Sequence, residues 1–356
     1  DGASLTVGAE LRDGTIYRFS KDKEFRSNVG SGLKVAVGAT AVLYIERNVT
    51  VTCKGVDGSG TNPGYPGIEV PEDATLIVTG EGSLVATGGN AGAGCKGEDG
   101  ADGVNDNHVS KAGIGGRGGA GGGGAAAGIG GKGGVGGTGG TGGTPIQDGD
   151  DDAYGDDGSS GQRGSDGGAC GSVYLLGAVS VTAHGGVAST NGCGGAGGEW
   201  LAHDGGSGLA HSWSIGGGGG GGGGGTGLAA GGIGGGAGGG GGGGGGGSGS
   251  ADMDYGWGDI VNYNWGGYGG AGPDENAKGK TGTSEKNPTG ERSVHRPGHG
   301  GAFGENGTAG ESGGLYVNEA VKAKGETLSG RYEDIKYAFG HPALERTITF
   351  HLDKTE

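Results

Sequence analysis

The chain has 356 residues, and 107 of them are glycine, roughly four times the usual share, while hydrophobic residues make up only 31%. A core of bulky side chains can therefore hold only part of the molecule, yet the 8 prolines and the glycine runs of ten exclude a collagen repeat. A formal charge of −16 argues against a nucleic-acid partner, and no stretch approaches the ~20 apolar residues of a membrane-spanning helix.

The sequence opens at Asp1-Gly2 without an initiator methionine, as expected of a processed chain or of one cut from something longer. Leu5 and Val7 suggest a first short strand. A hidden repeat follows. Leu43, Ile45, Val49, Val51, Cys53 and Gly55 share their spacing with Ile68, Val70, Ala74, Leu76, Val78 and Gly80, and again with Val173, Leu175, Val179, Val181, Ala183 and Gly185. Val35, Val37, Ala41, Leu43 and Ile45 keep the first part of it, as do Leu315, Val317, Val321 and Ala323. Each unit reads as a strand with alternate residues inward, a polar corner such as Glu46-Arg47-Asn48 or Pro71-Glu72-Asp73, and a second alternating strand. No unit can bury its own apolar row, so stacked units are expected, as in a β-solenoid. The predicted rungs are 33–86, 171–185 and 314–325, in a mainly β and irregular chain with almost no α-helix. The alternative is a set of ordinary hairpins in a sandwich.

Between the rungs lie glycine-dominated insertions at 88–169 and 186–313. Within the first, residues 130–144 repeat two glycines and one side chain, leaving Lys132, Val135, Thr138, Thr141 and Thr144 in one row. A period of three belongs to neither helix nor strand but to the extended polyglycine II helix, whose bare faces let rods pack and exchange backbone hydrogen bonds. The acidic group Asp148, Asp150, Asp151, Asp152, Asp156 and Asp157 follows. It reads as a solvated loop or as a calcium site, since calcium takes six to eight oxygens.

The second insertion holds two unbroken runs, Gly216 to Gly225 and Gly238 to Gly247. All-glycine rods can be surrounded on every side, which places this scaffold pair at the centre of a bundle. The recurring Ile-Gly-Gly at Ile114, Ile129 and Ile233 suggests plugs at rod ends. A free rod should melt, because ordering a residue costs about 1–2 kcal/mol and a hydrogen bond returns only about 0.5–1.5. Its ends must be fixed from outside. Trp257, Tyr263, Trp265 and Tyr268 form an aromatic loop beside these runs, suited to stacking on a sugar or partner, or to paving the bundle's flank. The stretch 341–356 alternates with period two and reads as a C-terminal edge strand, open to pairing with another copy or with the rungs.

Thr87-Gly88-Gly89-Asn90-Ala91-Gly92-Ala93-Gly94, with Ile68-Glu69-Val70-Pro71-Glu72-Asp73-Ala74-Thr75-Leu76-Ile77-Val78-Thr79-Gly80 and Ala127-Gly128-Ile129-Gly130-Gly131, resembles glycine-rich surface proteins predicted in microbial genomes. In packing principle the glycine runs also resemble the polyglycine sandwich of some phage tail-fibre adhesins and the glycine-rich region of the anaplastic lymphoma kinase receptor family. Those resemblances imply an extracellular scaffold that presents binding loops.

Four cysteines, Cys53, Cys95, Cys170 and Cys193, lack zinc or redox spacing and fit disulfides in an oxidising setting, with three possible pairings. Catalytic motifs are wanting. Matches to GxGxxG are trivial in such a composition, Gly279-Lys280-Thr281 lacks the first glycine of a phosphate loop, and Pro297 forbids a metal-binding helix through His295 and His299. The sequence thus predicts a single composite unit over 1–356, non-enzymatic and with no cofactor beyond possible calcium. The expected role is a subunit or module of a surface filament that self-associates. The rival is an adhesin for a glycan or host protein, and ice binding by the threonine row is a weaker third reading.

Overall fold

The structure, a computed structural model, describes residues 4–106, 109–148, 152–199, 201–203, 213–215, 218–253, 267–282, 297–317, 321–323 and 347–354. Period-two alternation makes one row of each rung strand apolar, and that row is buried when circuits of chain stack. The first circuit is β1 (Glu10–Leu11), β2 (Thr15–Phe19) and β3 (Lys23–Arg26). The second is β4 (Leu33–Val35), β5 (Thr40–Ile45) and β6 (Thr50–Lys54), and the third is β7 (Ile68–Glu69), β8 (Thr75–Gly80) and β9 (Ser83–Thr87). A hairpin, β10 (Val104–Asp106) and β11 (Val109–Lys111), precedes β12 (Ile129–Gly130). Another, β13 (Ile146–Asp148) and β14 (Asp152–Tyr154), precedes β15 (Ser172–Leu175) and β16 (Ser180–His184). Then come β17 (Leu201–His203), β18 (Trp213–Ile215), β19 (Ile233–Gly234), β20 (Ala251–Met253), β21 (Leu315–Val317), β22 (Val321–Ala323) and β23 (Thr347–Lys354). Among the described residues there is no α-helix.

Each circuit adds one strand to each of three sheets. The first sheet runs β1-β4-β7-β12-β19, the second β2-β5-β8-β15-β21, and the third β3-β6-β9-β16 before β23 and β22. Pairing within the first two sheets and from β3 to β16 is parallel throughout. Inward residues stack in rows, such as Leu43 on Val78 on Leu175 and Cys53 on Ala86 on Ala183, all at most 1% exposed. Asn48 takes the corner after β5 at φ 62°, a conformation asparagine tolerates.

The spacing rule missed the first circuit because Lys23 stands where the repeat expects an apolar residue; its ammonium sits 5.7 Å from the Phe25 ring. The strand expected at Leu5 and Val7 is instead a turn at Val7-Gly8. Residues 347–354 do not lie at an edge, since β23 pairs on one side with β16 and on the other with β22.

The glycine-rich excursions leave and re-enter the ladder on either side of the first sheet. Ile129-Gly130 forms the ladder strand between the first and second excursions and Ile233-Gly234 that between the third and fourth, and Ile68, Ile129 and Ile233 stack in one buried row. This explains the recurring isoleucine: it tacks the chain to the ladder between two outward journeys. Gly130 and Gly234 turn there at φ 137° and 135°, where a side chain would strain the backbone. Ile114 plugs nothing and is half exposed.

The first three excursions run out along one stretch and back along another, and the fourth adds two short passes through 267–282 between its own. The outward stretches are 88–103, 131–145, 185–199 and 235–250; the returning ones are 112–128, 155–171, 218–232 and 297–314. Neighbours are joined by backbone hydrogen bonds that recur every third residue, as in Gly137 to Gly240, Gly140 to Gly243 and Gly143 to Gly246, each 2.8 Å. At the far end β13-β14-β20-β18-β17 form an antiparallel sheet. The bundle is therefore held at both tips, by the parallel ladder and by this distal cap.

Candidate functional site

Glycine content decides position within the bundle. Gly238–Gly247 is surrounded by six stretches among the described residues, 112–128, 131–145, 155–171, 218–232, 267–272 and 297–314, through bonds such as Gly243 to Gly119, Gly245 to Ser159 and Gly301 to Gly245. Gly218–Gly225 bonds likewise to 88–103, 112–128, 185–199, 235–250 and both passes of 267–282. Both runs are buried throughout. Gly216 lies outside the described residues. Where two residues in three are glycine, as in 131–145, one row is exposed, and it is the expected Lys132, Val135, Thr138, Thr141 and Thr144. Where one in three is glycine, as in 155–167, the bonded neighbours among the described residues are 131–145, 235–250 and 297–314. A methyl on Gly243 would sit 2.1 Å from the Gly222 carbonyl oxygen, so this packing excludes even alanine without backbone movement.

The outward amides of the peripheral stretches need acceptors, and short polar side chains supply them. Asn90, Asp99 and Asp102 accept from the N–H groups of Val187, Ala196 and Glu199, each 97 residues on. Asp157, Ser160 and Asp166 accept from His299, Ala302 and Thr308, each 142 residues on. Ser159 and Ser165 serve Thr141 and Val135. Part of the negative charge is thus structural. The Arg163 guanidinium, with the Thr308 amide and hydroxyl, holds the Asp166 carboxyl down at about 2. The Ala196 amide and Lys96 lower that of Asp99, while Asn191 and the Ala277 amide lower that of Asp274.

Of the six aspartates read as a calcium group, Asp156 and Asp157 are engaged in this way, since Asp157 Oδ1 accepts from His299 and Asp156 Oδ1 from Asp157. Asp148 and Asp152 face each other in the β13–β14 register. Asp150 and Asp151 lie outside the described residues, and among the described residues no three His, Cys, Asp or Glu side chains cluster to hold a metal.

Trp257, Tyr263 and Trp265 also fall outside the described residues. Tyr268, 44% exposed, stacks face to face on His299 at 5.1 Å beside the distal cap, near Asp157. This pairing leaves no local trace in the sequence, because the two rings lie on different stretches. A further surface was missed for the same reason. Ile16, Val42, Ile77, Tyr174 and Tyr316 share one outward row across all five strands of the second sheet, with Tyr174 stacked on Tyr316 at 4.4 Å.

The disulfide expectation is corrected, for all four cysteines are free thiols. Cys53 lies in the ladder core and Cys170 at the ladder entry of 155–171, both buried, whereas Cys95 and Cys193 are exposed on the bundle. Burial raises the thiol pKa of Cys53 far above its ordinary value and that of Cys170 to about 12. No described helix is long and apolar enough to cross a membrane. No protein family, curated protein or solved structure matches the chain.

Proposed function

We propose that the chain is a non-catalytic extracellular structural module, a β-solenoid frame carrying a polyglycine II bundle, which serves as a subunit of a surface filament or appendage. The observation that carries this reading is the enclosure of two all-glycine stretches by six hydrogen-bonded neighbours, anchored at one tip by the ladder and at the other by the cap. Backbone locked on every side makes a stiff spacer without large side chains. The three-residue recurrence of the bonds is the repeat of the polyglycine helix. One strand per sheet per circuit is the repeat of a solenoid. The apolar row from Ile16 to Tyr316 offers a lateral contact for another copy. Electron microscopy of the purified protein tests the role: ordered fibres support it, and isolated particles at every concentration sink it.

A second reading is favoured by the distal end. There Tyr268, His299 and Asp157 come together beside the cap, and the segment holding Trp257, Tyr263 and Trp265 runs between β20 and Tyr268. An adhesin displaying these groups to a glycan or protein is expected to lose glycan-array binding on Tyr268→Ala with its melting temperature unchanged.

A further inference from the structure

The third sheet holds six strands where the other two hold five. The extra strand is β23, which lies antiparallel on β16 with Val181 opposite Phe350, Thr182 opposite Thr349 and Ala183 opposite Ile348. On its other side it pairs antiparallel with β22, Ala323 opposite Leu352. Two reversals leave β22 parallel to β16, the direction the ladder dictates. In the second sheet β21, from the same circuit as β22, lies directly on β15. Leu315, Val317, Val321 and Ala323 also keep the spacing of Val173, Leu175, Val179 and Val181. By that pattern β22 belongs directly on β16, and β23 is a guest wedged between them.

The chain length between β22 and β23 bears on where the guest comes from. Antiparallel neighbours need a loop of only about two to five residues, yet these are joined by residues 324–346. A tether that long lets the strand reach a slot on another molecule. We propose that the slot between β16 and β22 accepts Thr347–Lys354 from a second copy of this chain, so that copies are linked by exchange of their C-terminal strands. The contact within one chain is the same contact closed upon itself. Backbone hydrogen bonds to β16 and β22 supply the attraction, and the alternation Thr347-Ile348-Thr349-Phe350-His351-Leu352 sets the register. Because donor strand and acceptor slot are different surfaces, the linkage is head-to-tail and can extend without closing. This deepens the filament reading and rests on it.

The test uses the full chain with Cys95→Ser and Cys193→Ser to remove the exposed thiols. Thr182→Cys and Thr349→Cys are placed on separate, co-expressed copies and oxidised. A covalent dimer as the main product is the expected result. Should the mixture stay monomeric while the double variant T182C/T349C closes within single chains, exchange is overturned. Failure of both to crosslink removes β23 from β16 and overturns it equally. Deletion of 347–356 separates the two ideas: fibres that persist without these residues end the exchange but leave the filament reading intact.

Discussion

The ladder and the glycine bundle are built from one chain and solve the same problem in opposite ways. In the ladder each inward position carries a side chain, and Leu76, Leu84, Ile129 and Leu175 disappear from solvent by stacking on equivalents from other circuits. Its stability comes from apolar area removed from water. In the bundle the side chains are gone, and neighbouring backbones approach until carbonyl oxygens occupy the space a Cβ would need. There the gain is hydrogen bonding of otherwise costly buried amides, together with close backbone contact. The ladder tolerates exchange of one aliphatic residue for another. The bundle tolerates nothing larger than hydrogen at its centre.

The sharpest way to break this contrast is a bulky residue at the bundle centre. Gly243→Val is expected to abolish hydrogen-exchange protection across 238–247 while ladder amides such as those of β8 stay protected; uniform loss in both would show one cooperative unit. Next comes Leu76→Ala, which opens a cavity in the ladder and should cost about 2–5 kcal/mol by denaturant melting. Acid acts on the bundle periphery instead. The carboxyls of Asp99, Asp166 and Asp274 are depressed in the folded state from an ordinary value of 3.8, that of Asp166 to about 2. Their stabilisation is complete above about pH 4 and is lost as pH falls from there through 2. A melting temperature flat across pH 2 to 4 contradicts this. Asp102→Ala leaves the Glu199 amide without its acceptor and should cost about 0.5–1.5 kcal/mol. The smallest effect is expected at Thr138→Ala on the exposed row, within about 0.5 kcal/mol. Alkylation of the native protein should mark Cys95 and Cys193 while sparing Cys53 and Cys170, which become reactive only on unfolding.

Much of this was legible because both regions obey short periods. Alternation at period two marked β5, β6, β8, β15 and β16, and the triplet of two glycines and a side chain marked the exposed row from Lys132 to Thr144 and its buried flanks. The unbroken runs after Gly216 and Gly238 announced their central place, since only a segment without side chains can be enclosed on every side. What hid was whatever one deviant residue or a distant partner controlled. Lys23 concealed the first circuit, and Asp157, one of the aspartates that read as a cation site, accepts from the His299 amide 142 residues away.

The sequence by itself determined most of the inward residues, though not Val37, which is 67% exposed, and how many sides of each glycine stretch are covered, because these follow from side-chain size repeated at two or three residues. Tertiary structure alone decided which stretches are neighbours, that the distal tips meet in an antiparallel cap, that the cysteines stay apart, and that the last strand enters the third sheet rather than lying at its edge. Those outcomes depend on hydrogen bonds between residues far apart in the chain, and a local period carries no information about a distant partner.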